Sequence, residues 1–446
     1  MQRIKEEAII LVSVVKWLAL AATTGLIVGA STAAFVKTLN LCSSAILLLP
    51  HYFLLLPLGL AFSAALIYVF PDAVGHGANK VIGIIHHGNS RIPPINTMVE
   101  FLRTTITLAV GGSAGKEGPA AQIGAGCASL FADLLRFEGQ DRRKLVICGI
   151  SGAFASVFGT PIAGAIFGIE VLSAGTIKYD VLLPSFVAGI VSYQFSSWLG
   201  LAYFHHPVMF VPVFTEMFFL KVVVAGILFG GVSFLLVETL SLGKKISASL
   251  KLSLPLKGLI IGASLAASGF VLGDAYFGLG LDTLRSSLEG APLPWYAFLV
   301  KTVFTSATLN FGGSGGIGTP LFFVGATSGN AFSGLLGVDP AMLAAIGFVS
   351  LLAGAANTPI AASIMAVELF GALVAPYAAV SCVISYVVAG HRSVYPAQTL
   401  AVKKSSSIKV EEGLPLEAVK ARYEERENSV IIRLSRLWRL LRRDRG

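Results

Sequence analysis

The sequence predicts an all-α, polytopic membrane fold, on three observations. Of its 446 residues 55% are hydrophobic and only 13% charged, a balance that leaves a soluble domain short of polar surface. Apolar stretches recur, about ten of them on the ruler of roughly 20 residues per spanning helix. Two glycine- and proline-bearing motifs also occur twice in the same order, the mark of an internal repeat.

Taken in chain order, the first apolar segment begins at Ala8. It runs past the point where a signal peptide is cleaved and many more of its kind follow, so it reads as a membrane helix. Phe53 to Val69 is a further span. Gly112-Ser-Ala-Gly-Lys-Glu-Gly-Pro119 is followed by Gly159-Thr-Pro-Ile-Ala163, with Glu170 nine residues after Pro161. His205-His206-Pro207 then breaks the apolar pattern and puts a repeat boundary near Tyr203 to Pro212, with halves of about 15–205 and 213–402 in a transmembrane region 1–402. Spans resume at Phe218 to Val237 and Leu259 to Leu272. The second half repeats the pattern: Gly313-Ser-Gly-Gly-Ile-Gly-Thr-Pro320, then Asn357-Thr-Pro-Ile-Ala361, with Glu368 nine residues after Pro359. The interval between the two prolines differs by three residues between halves. Residues 403–446 form a basic tail ending in Val430-Ile-Ile-Arg-Leu-Ser-Arg-Leu-Trp-Arg-Leu-Leu-Arg-Arg443. Its apolar and arginine positions segregate at helical spacing, which suits an anionic membrane surface or packing on the protein itself as well as a solvated tail.

The net charge of +9 lies largely in this tail and in short loops, which positive-inside bias explains without nucleic acid. It sets Arg3, Lys5, the Arg142-Arg143-Lys144 loop and the C-terminus on the cytoplasmic side, in a multi-pass protein of the plasma membrane. Cys42, Cys127, Cys148 and Cys382 stand singly, without ligand spacing. The pairs His86-His87 and His205-His206 do not face one another on a helix, so no metal and no cofactor are expected. Gly111 to Gly115 and Gly312 to Gly316 each satisfy the GxSxG pattern of serine hydrolases. Ser113 and Ser314 nevertheless lack the preceding strand and the positioned histidine, which makes an intramembrane hydrolase a remote alternative.

Each motif puts proline where an apolar helix begins, the position at which a missing N–H costs nothing, with glycines just before it. In lipid such a start is tolerated only where the bare N–H groups line a cavity or are buried in protein. A helix N-terminus holds an anion by unpaired N–H groups and partial positive charge, weakly enough for it to leave again. The expected donors are the backbone of Gly115, Lys116, Glu117 and Gly118 and of Gly316, Ile317, Gly318 and Thr319. Glu117 stands inside the first motif, where its carboxylate competes as a tethered anion for the same positive end. Protonation releases it and admits a free ion, which makes Glu117 a protonatable gate.

The Gly-Lys-Glu-Gly-Pro119 run, the Gly-Gly-Ile-Gly-Thr-Pro320 run and Tyr395 after the last apolar segment resemble the CLC family of chloride channels and chloride/proton antiporters, over about residues 15 to 402. The resemblance implies tilted, interrupted helices in two inverted halves, and a homodimer in the lipid bilayer with one pore per subunit. It gives Glu117 the gating role, Tyr395 a hydroxyl contact to the anion, and Ile317 and Gly318 backbone contacts. Three departures qualify it. His76, in Gly75-His-Gly-Ala-Asn79, replaces a serine ligand of the family and can donate to the anion or sense pH. Gly318 stands where phenylalanine is common. Val171 follows Glu170 where antiporters carry an inward-facing glutamate, so passive transport of chloride is the first expectation. Chloride/proton antiport is the alternative, with Glu117 and Glu170 as its proton path, although Glu170 and Glu368 read first as structural. A fluoride/proton branch is also resembled through Gly-Thr-Pro-Leu-Phe-Phe323, but Ala78 and Ile317 depart from its hallmarks.

Overall fold

A computed structural model describes residues 2–71, 77–206 and 215–423. Its helices form two series of eight. The first comprises α1 (Gln2–Leu47), α2 (Leu56–Val69), α3 (Gly77–His87), α4 (Pro94–Ala109), α5 (Glu117–Leu134), α6 (Gly139–Phe158), α7 (Pro161–Glu170) and α8 (Leu182–Trp198). The second comprises α9 (Glu216–Ser249), α10 (Leu254–Leu272), α11 (Leu281–Leu288), α12 (Ala297–Asn310), α13 (Gly318–Leu336), α14 (Pro340–Ala356), α15 (Pro359–Phe370) and α16 (Ala375–Val388). Two short ribbons complete it: β1 (Ser173–Ala174) pairs in parallel with β2 (Thr399–Leu400), and β3 (Ile408–Lys409) pairs antiparallel with β4 (Arg422–Tyr423).

Helix boundaries follow local chemistry. Pro161, Pro340 and Pro359 are the first residues of their helices, where the orphan N–H position tolerates proline. The Thr215 hydroxyl accepts from Phe218 N at 3.1 Å and the Asp339 carboxylate from Met342 N at 2.9 Å, capping α9 and α14. Gly159 (φ 72°) ends α6 in the left-handed region, and Asn357 (φ 57°) does the same for α14. Among the described residues four helical segments are long and apolar enough to cross a membrane: Lys5–Leu47, Tyr52–Val69, Glu216–Ser249 and Leu254–Leu272. The sequence-based count of about ten full spans is therefore corrected. Glycine and proline divide the remaining apolar chain into shorter pieces such as Pro161–Glu170, Pro359–Phe370 and Ala375–Val388.

The halves are inverted, and α7 and α15 show it. Glu170, the last residue of α7, accepts from Ile360 N (3.1 Å) and Ala361 N (2.8 Å) in the first turn of α15. Glu368, near the end of α15, accepts from Ile162 N (3.0 Å) and Ala163 N (2.8 Å) in the first turn of α7. Each helix thus carries the carboxylate that caps the other, which requires the equivalent helices to run antiparallel. Both recurring glutamates therefore cap a helix start of the other half.

Small residues let neighbouring helices approach. A Cβ on Gly124 of α5 would lie 2.6 Å from the Gly149 carbonyl oxygen of α6, and one on Gly149 the same distance from that of Gly124; Gly325 and Gly347 repeat the contact between α13 and α14. Between these pairs runs an aromatic core, with Phe154 stacked on Phe167 at 3.8 Å and Phe322 on Phe348 at 4.0 Å. The basic segments gather at one end. Lys16 bonds Asp141 at 2.7 Å, Lys144 approaches Asp180 at 3.3 Å, and the Nζ atoms of Lys16 and Lys144 each lie 5.4 Å from the Trp17 ring centroid. The β1–β2 pairing brings the start of the tail to the chain just after α7. The amphipathic stretch Val430 to Arg443 lies outside the described residues.

Candidate functional site

Symmetry-related bonds bring the two glycine motifs together. Ser113 N donates to Thr308 Oγ1 (3.1 Å) and Ser314 N to Thr107 Oγ1 (3.0 Å), so each motif is anchored by a threonine of the other half. Gly115 and Gly316 then exchange two backbone hydrogen bonds, both 2.7 Å, which set the N-termini of α5 and α13 side by side. Glycine is required at this crossing. A Cβ on Gly118 would lie 2.9 Å from Gly316 Cα, and one on Gly77, whose φ is +52°, would lie 2.8 Å from the Gly118 carbonyl carbon.

The Glu117 side chain crosses this junction. Its carboxylate accepts from Thr319 N at 2.9 Å and from the Thr319 hydroxyl. The carboxylate of one repeat thus occupies the helix N-terminus of the other, buried with 2% exposure. A Cβ on Gly318 would come within 2.9 Å of Glu117 Oε2, and one on Gly115 would be 2.9 Å from Thr319 N. The missing side chains at Gly115, Gly316 and Gly318 are what give an oxygen, or an anion of similar size, access to these donors. Ile317 is buried at the N-cap of α13, and Lys116 forms the N-cap of α5 without a side-chain capping bond.

Of the other expected residues, Tyr395 is buried, with its ring 6.5 Å from Phe167 in an edge-on arrangement, and its hydroxyl lies in the field of Glu117. His76 lies outside the described residues. The Glu170 carboxylate is engaged at the start of α15, and Val171 beside it is fully buried. Ser113 and Ser314 are held by polar neighbours: Ser113 Oγ is 3.1 Å from Thr305 Oγ1, and Ser314 Oγ donates to Glu100 Oε2 at 3.2 Å. His86 Nε2 lies 2.7 Å from Leu172 O, His205 Nδ1 3.3 Å from Glu368 O and His206 Nε2 3.1 Å from Leu288 O.

Sequence reasoning missed the buried charges behind the motifs. Glu100 on α4 and Lys301 on α12 occupy equivalent positions of the two repeats and are buried. Glu100 also accepts from Thr104 Oγ1 at 3.4 Å. Lys301 Nζ donates to the carbonyls of Tyr276 (3.1 Å) and Gly278 (2.8 Å), and lies 5.1 Å from the Phe323 ring centroid. Arg103, one turn from Glu100, gives its Nε–H to Ser63 O at 2.9 Å. The signal available was the rule that a charge inside an apolar helix faces protein and has a partner. The repeat register pointed to the same two helices.

Comparison with known proteins agrees with this geometry. The family model described as voltage gated chloride channel matches residues 58–390. A chloride/fluoride channel protein of Pseudomonas syringae pv. tomato is 38% identical over 408 residues, covering 90% of each chain. The crystal structure of a CLC-type fluoride/proton antiporter superposes with a TM-score of 0.82 at 30% identity, covering 86% of this chain and 98% of that one. A slow cyanobacterial Cl-/H+ antiporter shares the fold at 19% identity, with a TM-score of 0.73 over 84% of this chain and 94% of the other.

Proposed function

Because the chain belongs to the CLC family of voltage-gated chloride channels and their transporter relatives, a family of membrane anion transport, we propose that it carries small halides, fluoride ahead of chloride, between the N-termini of α5 and α13. The observation that carries this reading is the Glu117 carboxylate on the backbone N–H and hydroxyl of Thr319. Those donors serve the two carboxylate oxygens in the closed arrangement, the N–H reaching Oε2 and the hydroxyl Oε1. They serve a halide once Glu117 has taken a proton and given up its negative charge, so each opening is tied to a protonation.

Fluoride is favoured on two grounds. Two relatives at 30% identity or above carry fluoride in their descriptions. A hydroxyl paired with an N–H also suits a small, strongly hydrated anion that gives up water only for close, strong donors. Family membership supports a homodimer with one path in each subunit. The clustered basic residues support a cytoplasmic placement of both termini in the plasma membrane. Passive chloride conduction, the first expectation from the sequence, becomes the second reading, favoured by Val171, an apolar and fully buried residue at the position where antiporters of the family carry a glutamate.

The test is efflux from reconstituted vesicles with simultaneous proton recording, fluoride beside chloride, wild type beside Glu117→Gln. The expected result is fluoride efflux above chloride efflux, with opposed proton movement that Glu117→Gln abolishes. Chloride efflux equal to fluoride without proton movement supports passive conduction in its place.

A further inference from the structure

We propose that Lys404, contributed by the C-terminal tail, is a positioning residue for Tyr395: acting through Asn357 and Gln398, it holds the loop that carries the Tyr395 phenol and so sets halide affinity. The proposal rests on the reading of Tyr395 as part of the anion path.

The loop from Ser393 to Gln398 is held on every side. Val394 N donates to Ala355 O (2.8 Å), Tyr395 N to Ser393 Oγ (2.9 Å), Ala397 N to Asn79 Oδ1 (2.9 Å) and Gln398 N to Tyr395 O (3.0 Å). From the tail, Leu416 N donates to Gln398 O (2.8 Å) and Glu417 N to Pro396 O (3.1 Å). Gln398 is fully buried and is fixed by two amide contacts. Its Nε2 donates to Ala356 O at 2.8 Å, and its Oε1 accepts from Asn357 Nδ2 at 3.0 Å.

Asn357 closes this relay only when its amide faces one way. Nδ2 must point to Gln398 Oε1 and to Arg392 O (2.9 Å), which leaves Oδ1 in need of a donor. Lys404 Nζ is that donor, at 2.7 Å. Its other acceptor is Tyr386 O at 2.6 Å, and it lies 3.8 Å from the Tyr386 ring centroid. Without Lys404 the Asn357 Oδ1 loses its donor, one of the contacts that hold the amide in this orientation, and the Gln398 anchor of the Tyr395 loop loosens with it.

Lys404 also makes the device responsive to proton concentration on the tail side. No carboxylate lies within 4.0 Å of its Nζ among the described residues. The charged and titratable groups around it are spoken for or of like sign. Arg392 is paired with Glu238 at 2.6 Å, and the His391 ring accepts from Lys404 N at 3.0 Å. Glu170 of α7, whose field reaches Tyr386, is capped on α15, and Glu412 accepts from Lys403 N. Burial pushes Lys404 down to about 7, and burial together with Lys404 and Arg392 holds His391 below its ordinary value. A neutral amine has two N–H groups, matched by the Asn357 and Tyr386 oxygens. A lysine freed from this site regains its ordinary value of 10.5 and binds a proton that the docked form releases. Docking therefore strengthens as pH rises from about 7 toward 10.5 and is flat below that window.

The experiment measures the half-saturating fluoride and chloride concentrations of vesicle flux, at tail-side pH 6 to 9 and fixed pH opposite, for wild type, Lys404→Met, Asn357→Asp and Tyr395→Phe. The expected result is a half-saturating concentration that falls as pH rises above 7 in the wild type. Lys404→Met raises it about 2- to 10-fold at pH 8, the worth of one hydrogen bond, and removes its pH dependence while maximal flux persists. Asn357→Asp gives Lys404 a counter-charge and moves the transition to higher pH, a shift that a purely structural role would not produce. Profiles of Lys404→Met and Asn357→Asp that superimpose on the wild type overturn the proposal. So does a Tyr395→Phe protein of unchanged affinity. Either result with halide flux intact leaves the transport reading standing, whereas a wild type without halide flux removes that reading as well.

Discussion

Glu117 and Thr319 meet because the chain builds the same glycine motif twice and turns the second over onto the first. The carboxylate comes from the start of α5 and its donors from the start of α13, so neither half builds this contact alone. The Thr319 hydroxyl holds the carboxylate, and under the proposed transport reading it faces the halide once Glu117 has left. Thr319→Ser keeps the hydroxyl and retains wild-type uptake, whereas Thr319→Val loses it. The latter should lower uptake at sub-saturating fluoride about 2- to 10-fold. Equal uptake by the two variants would take the hydroxyl out of the path and leave only the backbone donors. Most of this site was legible as residue types in order: glycines, a proline and a lone carboxylate at a helix start. The pairing was not, because which N-terminus Glu117 reaches depends on the Gly115–Gly316 bridge, a contact between segments about 200 residues apart that no local pattern encodes.

At the level of elements, α7 and α15 stabilise each other by exchanged caps. Each carboxylate serves two N–H groups that lipid could not satisfy. Replacing Glu170 by Ala or Glu368 by Ala orphans a pair of donors, and each should cost about 1.5–3 kcal/mol, read from thermal unfolding in detergent. Glu170→Gln keeps one acceptor and should cost less, and in the flux assay it should leave the ratio of protons to halide unchanged. A variant of normal stability that has lost proton movement would instead make Glu170 a proton station. The sequence carried half of this relation. Glu170 and Glu368 recur at the same distance from their prolines, which marks them as equivalent. Their reciprocity required knowing that the helices run antiparallel, and orientation leaves no trace in spacing. The lengths of the elements were the harder matter. An apolar run reads the same whether it crosses the bilayer or stops midway, and what stops it is tertiary, as where Asn357 ends α14 in a left-handed turn whose amide is held by Gln398 and Lys404.

Across the whole molecule, charge is segregated by end and by depth. The charges at depth, Glu100, Arg103 and Lys301, are buried and bonded to hydroxyls or carbonyls. A second set, from Lys16 and Asp141 through Lys144 and Asp180 to the start of the tail, lies where α1 begins and α7 ends. Their surface ion pairs are worth little in stability, about 0–1 kcal/mol each. Their effect is on orientation, since basic residues near membrane helices are retained on the cytoplasmic side. Lys5 and Lys409 are both exposed and both belong to this end. Single cysteines at these positions, with Cys42 and Cys127 changed to serine, should therefore react with a membrane-impermeant maleimide from the same face, and only when the cytoplasmic face is presented. Labelling of both from the outer face would reverse the orientation and make the Lys404 site a sensor of external pH. Labelling from opposite faces would contradict the pairing of β1 with β2, and with it the docked tail on which that sensor depends.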